Sequence, residues 1–158
     1  MKSRYSIALL CGALAVCAAC ISQTAYGAPP TDACSLLTQA QVSAALGVNV
    51  GPSQHLVGPK MCVWPSPGHS GPKSKRASLE LKDPRAFAYA KMPVGHGITK
   101  TPVSGVGDDA VSGGRPGLSP ILTVKKGDVV FVVTVDGFPP DDAAAKEKTL
   151  ALEVLAKL

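Results

Sequence analysis

Few side chains in this sequence are of the types that do chemistry, and their spacing narrows the options further. The cysteines are Cys11, Cys17, Cys20, Cys34 and Cys62, and the histidines are His55, His69 and His96. Cys17-Ala18-Ala19-Cys20 has the spacing of a redox Cys-x-x-Cys motif, but it lies inside the apolar core of an N-terminal export signal and is a decoy. The histidines sit beside glycine, proline or polar loop residues, none at i, i+2 or i+4 from another, so no metal centre is expected. With Met61 and Met92 they would suit copper by ligand type, yet nothing clusters them.

Nucleophilic chemistry is equally thin. There is no Gly-x-Ser-x-Gly elbow and no His-Glu-x-x-His. Gly71-Pro72-Lys73-Ser74 matches part of a phosphate loop, but Pro72 lacks the N–H such a loop needs as a donor. Asp108-Asp109 and Asp141-Asp142 are adjacent carboxylates. Neighbours on a strand point to opposite faces, so a turn is expected of the first pair and helix capping of the second. The expectation is a protein that is not an enzyme, with no catalytic residues, no cofactor and no metal.

Met1-Lys2-Ser3-Arg4 followed by an apolar run over residues 7–19 is a signal peptide, since the run is shorter than the roughly 20 residues of a membrane span. Small residues at Ala25 and Gly27 place cleavage after Gly27, giving a signal peptide at 1–27 and one exported domain at 28–158. The competing reading acylates Cys20 and makes the chain a membrane-anchored lipoprotein; Cys17 stands where a lipobox usually has Leu. Either way the destination is periplasmic or secreted, with no transmembrane span after cleavage. Cys34 and Cys62 are then the only cysteines of the folded part, and an oxidising compartment pairs them most simply as one disulfide, against the alternative of two free buried thiols.

The elements that would position these residues are legible to different degrees. Thr38 and Gln41 stand in capping-box relation, with Leu37 and Val42 as a hydrophobic staple and Gly47 as terminator, which predicts a short helix from Thr38 to Gly47. Residues 48–60 read as a loop or short edge strand, and 61–64 as a strand stopped by Pro65. An exposed loop over 66–75 leads to its antiparallel partner over 77–82. Asp83-Pro84 predicts a second short helix through Lys91, with Asp83 as N-cap. Residues 93–120, rich in Gly and Pro, predict little beyond short strands near 101–103 and 110–112.

Residues 118–125 and 129–135 predict a hairpin through Lys126-Gly127. Because 129–133 is apolar on both faces, that strand belongs at the centre of the sheet. A C-terminal helix over 142–158, with Asp141 as N-cap, turns Ala143, Leu150, Ala151, Val154, Leu155 and Leu158 inward. On its outer face Asp142 pairs with Lys146 and Glu153 with Lys157. The fold class expected is α+β: a single domain with a mainly antiparallel sheet packed against short helices and a C-terminal helix, tied by one disulfide.

Asp32-Ala33-Cys34-Ser35-Leu36-Leu37-Thr38, a short helix ending at Leu46-Gly47, and then Cys62-Val63-Trp64 resemble exported bacterial proteins and lipoproteins grouped as domain of unknown function 3558. Gly105-Val106-Gly107-Asp108-Asp109-Ala110 with the hairpin and terminal helix is similar to their second half. The resemblance implies an α+β fold and a Cys34–Cys62 disulfide, and it implies no activity.

The net charge of +5 falls by two once Lys2 and Arg4 are removed, and residues 60–100 hold most of the basic excess. No aromatic platform alternates with those cations, so nucleic acid is not an expected partner. The function expected is a non-enzymatic envelope module that binds a protein or another envelope component. Its candidate surface is Trp64 with Lys73, Lys75 and Arg76, on condition that Trp64 is exposed; a strand position favours a core role for it. The alternative is a small-ligand carrier or weak hydrolytic enzyme with a pocket near residues 93–117.

Overall fold

A computed structural model describes residues 28–158 apart from 69, 70, 72, 73, 94 and 96. The expected signal peptide with Cys20 lies outside the described residues, as do His69, Lys73 and His96.

The chain begins with a 3-10 turn, Ala33–Ser35, whose first amides are capped by Asp32: its Oδ1 accepts from the Cys34 N–H at 2.8 Å. Helix α1, Gln39–Leu46, follows with the expected capping box, the Thr38 hydroxyl accepting from the Gln41 N–H and the Gln41 side chain accepting from the Thr38 N–H. Gly47 ends it in the left-handed region at φ 69°. Strands β1 (Gln54–His55), β2 (Met61–Pro65) and β3 (Arg76–Lys82) form an antiparallel meander. After α2 (Ala86–Lys91) come β4 (Thr99–Pro102), β5 (Asp109–Gly114), β6 (Ile121–Lys126) and β7 (Val129–Asp136), a second meander, and then α3 (Pro140–Leu155). Pairing of β3 with β7 joins the two into one antiparallel seven-stranded sheet of order β1-β2-β3-β7-β6-β5-β4. This α+β domain puts β7 in the middle, as its two apolar faces require.

Cross-strand rows set the core. Trp64, Ala77 and Val135 form one row, Cys62, Leu79, Val133 and Leu122 a second, and Leu81, Phe131, Val124 and Ala110 a third; all are buried. Val42 and Leu46 of α1 and Ala143, Leu150, Ala151 and Val154 of α3 complete this cluster. Each fully buried aliphatic side chain contributes about 1.5–3 kcal/mol. On the opposite face α2 sets Phe87 against Val111 and Val130 in a second, smaller cluster. The Cys34–Cys62 disulfide joins the 3-10 turn to β2 with a Cα separation of 5.0 Å.

Several expectations are corrected. Helix α2 starts at Ala86 without a side-chain cap, because Asp83 instead closes the preceding turn by accepting from the Arg85 N–H at 2.9 Å. Helix α3 starts at Pro140 after Pro139, so Asp141 and Asp142 are first-turn acids favoured by the helix dipole and not caps. It ends at Leu155, which leaves Leu158 exposed. In place of the expected pairs on its outer face, Glu153 accepts from Gln41 Nε2 at 2.7 Å, and Lys157 donates to the Ser35 carbonyl at 3.4 Å. Both bonds tie the terminal helix to the start of the domain. The 93–120 region is more regular than its composition implies, since β4 and β5 run through it. The final hairpin turns at Gly127-Asp128, one residue later than expected.

Candidate functional site

The surface expected around Trp64 is not assembled. Trp64 is 0% exposed, on the core face of β2, so it is a core residue and is removed from the candidate surface. Strand alternation decides this, since Cys62 and Trp64 share the face that packs on the helices. Arg76 is held by Asp136, Nε to Oδ2 at 2.7 Å, and Lys75 lies over the Phe138 ring at 4.9 Å from its centroid, as does Lys146. Both cations are engaged within the molecule, and Lys73 lies outside the described residues.

The 93–117 segment, by contrast, borders two clefts. One, of about 350 Å³, opens on the face that α2 leaves bare and is lined by Ile98, Lys100, Arg115, Leu118 and Ile121 over Gly113 and Thr123. Its floor follows from register: Lys100, Gly113 and Ile121 are successive Cα partners across β4, β5 and β6, so they share that face. Gly113 makes room for the lysine, because a Cβ there would stand 2.8 Å from Lys100 Nζ and 3.1 Å from its Cδ. The Lys100 stem thus lies flat on the sheet with its ammonium carried over Gly113. Leu118 and Ile121 remain 60% and 47% exposed. Neither Lys100 nor Arg115 makes an ion pair among the described residues.

The second cleft, about 250 Å³, lies on the other face beside α3 and is lined by Val103, Ser112, Leu122, Ala144, Ala145, Glu147 and Lys148. Glu147 is the residue that sequence reasoning missed. It is fully buried, with Oε1 accepting from the Val135 N–H at 3.1 Å and Oε2 without a partner. The β6–β7 ladder ends at Leu122 and Val133, and beyond it the Val135 N–H of β7 donates to the Glu147 carboxyl. Burial pushes the Glu147 carboxyl up to about 8; the Asp136 charge adds to this and the Val135 N–H opposes it. Near neutral pH the group is therefore mostly a neutral acid. Its signal was the i, i+4, i+8 spacing of Ala143, Glu147 and Ala151, which places Glu147 on the buried stripe.

A third group lies at the far edge of the sheet. His55 Nε2 and Asp32 Oδ1 are 2.9 Å apart, and with Cys34 their ligand-type atoms fall within 4.8 Å of one another. The bond to His55, then the Cys34 N–H, holds the exposed Asp32 carboxyl below its usual range. Asp108 is lowered in the same sense by the Gly127 N–H at 2.7 Å and by Lys126 at 2.9 Å, and its part is to latch the β6–β7 turn. Asp109 pairs with Lys91, so the two adjacent aspartates serve separate contacts and form no dyad. No helix among the described residues is long and apolar enough to cross a membrane. Comparison of the chain with protein-family models, with curated proteins and with solved structures finds no match.

Proposed function

We propose that this is an exported, non-enzymatic binding module of the bacterial envelope, and that it recognises an anionic amphiphile in the cleft between Ile98 and Ile121. One observation carries the reading: exposed Leu118 and Ile121 share a cleft with Lys100 and Arg115, two cations without acidic partners among the described residues. Apolar side chains gain by covering, and cations beside them favour a carboxylate or phosphate head group. Export is supported by the signal-like start and by the disulfide, which suits an oxidising compartment. The likeness to domain of unknown function 3558 points the same way, and an acylated Cys20 would hold the cleft near a membrane.

Titration calorimetry of residues 28–158 with decanoate and with decanol tests this. Saturable decanoate binding, with much weaker decanol binding and loss of the decanoate signal in Lys100→Glu/Arg115→Glu, is the expected result. Equal binding of both ligands, or decanoate binding unchanged in the charge-reversed variant, would overturn the assignment.

A small-ligand carrier is the second reading, favoured by the unpartnered Glu147 Oε2 beside the cleft on the α3 face. A neutral acid there would donate to a ligand's carbonyl or ether oxygen. Methyl-region NMR shifts at Val103 and Leu122 on adding such fragments, absent in Glu147→Leu, are expected of a carrier; their absence in the native protein dismisses it.

A further inference from the structure

Three side chains with metal-ligating atoms, Asp32, Cys34 and His55, meet at the β1 edge of the sheet, and Cys62 is bonded to the second of them. Asp32 and Cys34 sit at the 3-10 turn, His55 ends β1, and Cys62 in β2 is the Cα partner of His55. Cross-strand partners share a face, so the imidazole and the Cys62 sulfur lie on the same side of the sheet, the side on which Cys34 is bonded. The carboxylate of Asp32, the sulfur of Cys34 and the ring of His55 offer atoms within 4.8 Å of one another. In the disulfide the two sulfurs are bonded to each other, which leaves only the His55–Asp32 pair, and a nitrogen with one oxygen is too few donors for a closed site.

We propose that reduction of the Cys34–Cys62 disulfide creates a tetrahedral Zn²⁺ site made by Cys34, Cys62, His55 and Asp32. The set of two thiolates, one imidazole and one carboxylate has the number and softness that zinc takes up. The reaction balances with a dithiol as reductant: it gives two electrons and two protons to the sulfurs and leaves as its own disulfide. Zinc then displaces both thiol protons, and His55 binds as neutral imidazole through Nε2, the atom that already faces Asp32 Oδ1. A Cα separation of 5.0 Å between the cysteines lets their sulfurs part to the roughly 3.8 Å that Zn–S bonds of about 2.3 Å require, by side-chain rotation. The Cys34 N–H donates to the same Asp32 Oδ1 that faces His55, and so fixes the orientation of the carboxylate. The same two points of the chain are thereby stapled by sulfur when oxidised and by metal when reduced.

The test uses residues 28–158 reduced with a phosphine under argon and titrated with Co²⁺ as the spectroscopic stand-in for zinc. Expected are thiolate-to-cobalt charge transfer and intense tetrahedral bands saturating at one equivalent, their displacement by Zn²⁺, and no such bands in the disulfide form. His55→Ala and Asp32→Asn should each weaken binding about tenfold or more. If the reduced chain unfolds, recovery of the native circular dichroism on adding Zn²⁺ supports the site. Absence of thiolate bands, binding indifferent to both His55→Ala and Asp32→Asn, or an unfolded reduced chain that zinc does not rescue would each overturn it.

Discussion

Glu147 is the side chain through which pH acts most directly on this fold. Its carboxyl titrates at about 8 in the native state, against 4.5 for an unperturbed glutamate. Between those values the native state binds more protons than the unfolded chain, so the stability linked to this group is fully present below about pH 4.5 and is lost as pH rises towards 8. The urea midpoint of the native protein should fall between pH 5 and 8.5. Glu147→Gln should keep the bond to Val135 and flatten that slope, so that the variant is the more stable of the two at pH 8.5. Asp32 and Asp108, both lowered, act in the opposite sense: their contribution is present above their unperturbed 3.8 and is lost as pH falls. Sequence reasoning missed Glu147 because it assigned helix faces by polarity, and this stripe includes one carboxyl that serves a strand amide. The pairing of His55 with Asp32 was illegible for a different reason, since the two are a short distance apart in space and 23 positions apart in sequence.

At the level of elements, local signals were reliable where the chemistry is local. The capping box of α1 was legible because all its atoms come from Thr38 and Gln41; Thr38→Ala should cost about 1 kcal/mol, read as a shift in urea midpoint. Strands β4 and β5 were barely legible because Pro102, Gly105, Gly107 and Gly113-Gly114 lower strand propensity, and pairing with β6 overrides it. Glycines with a positive φ are not equivalent across the chain. Gly107 has φ +62°, and a Cβ there would stand 2.5 Å from the Lys125 carbonyl oxygen and 2.8 Å from Val124 Cγ1. Gly58, at φ +65°, has nothing within 4 Å. Gly107→Ala is therefore expected to destabilise by about 3 kcal/mol or more, and Gly58→Ala by about 1 kcal/mol. Thermal melts of the two variants side by side check the contrast. The cleft rimmed by Lys100 and Arg115 escaped the sequence for the same reason as its strands: the β4-β5-β6 register is what puts its residues on one face.

For the whole molecule, the disulfide and the sheet order govern behaviour. Replacing both cysteines with serine opens a loop whose ends are 28 positions apart. The expected cost is roughly 3 to 4 kcal/mol in the chain-entropy model, or a melting temperature lower by about 10 °C, measurable by calorimetry. Neither edge invites further strands: β1 has only two residues, and Pro102 removes a donor from β4. The overall α+β class was legible because the apolar run of β7 and the periodic terminal helix stand out in composition alone. How the meanders join was not, because Arg76 and Asp136, partners where β3 meets β7, are 60 positions apart. That join also orders events in time. In any chain delivered N-terminus first, β3 waits with one edge bare until residue 136 has emerged, whereas both cysteines are out once residue 62 has passed. The covalent part of this fold can thus be in place before its central strand exists.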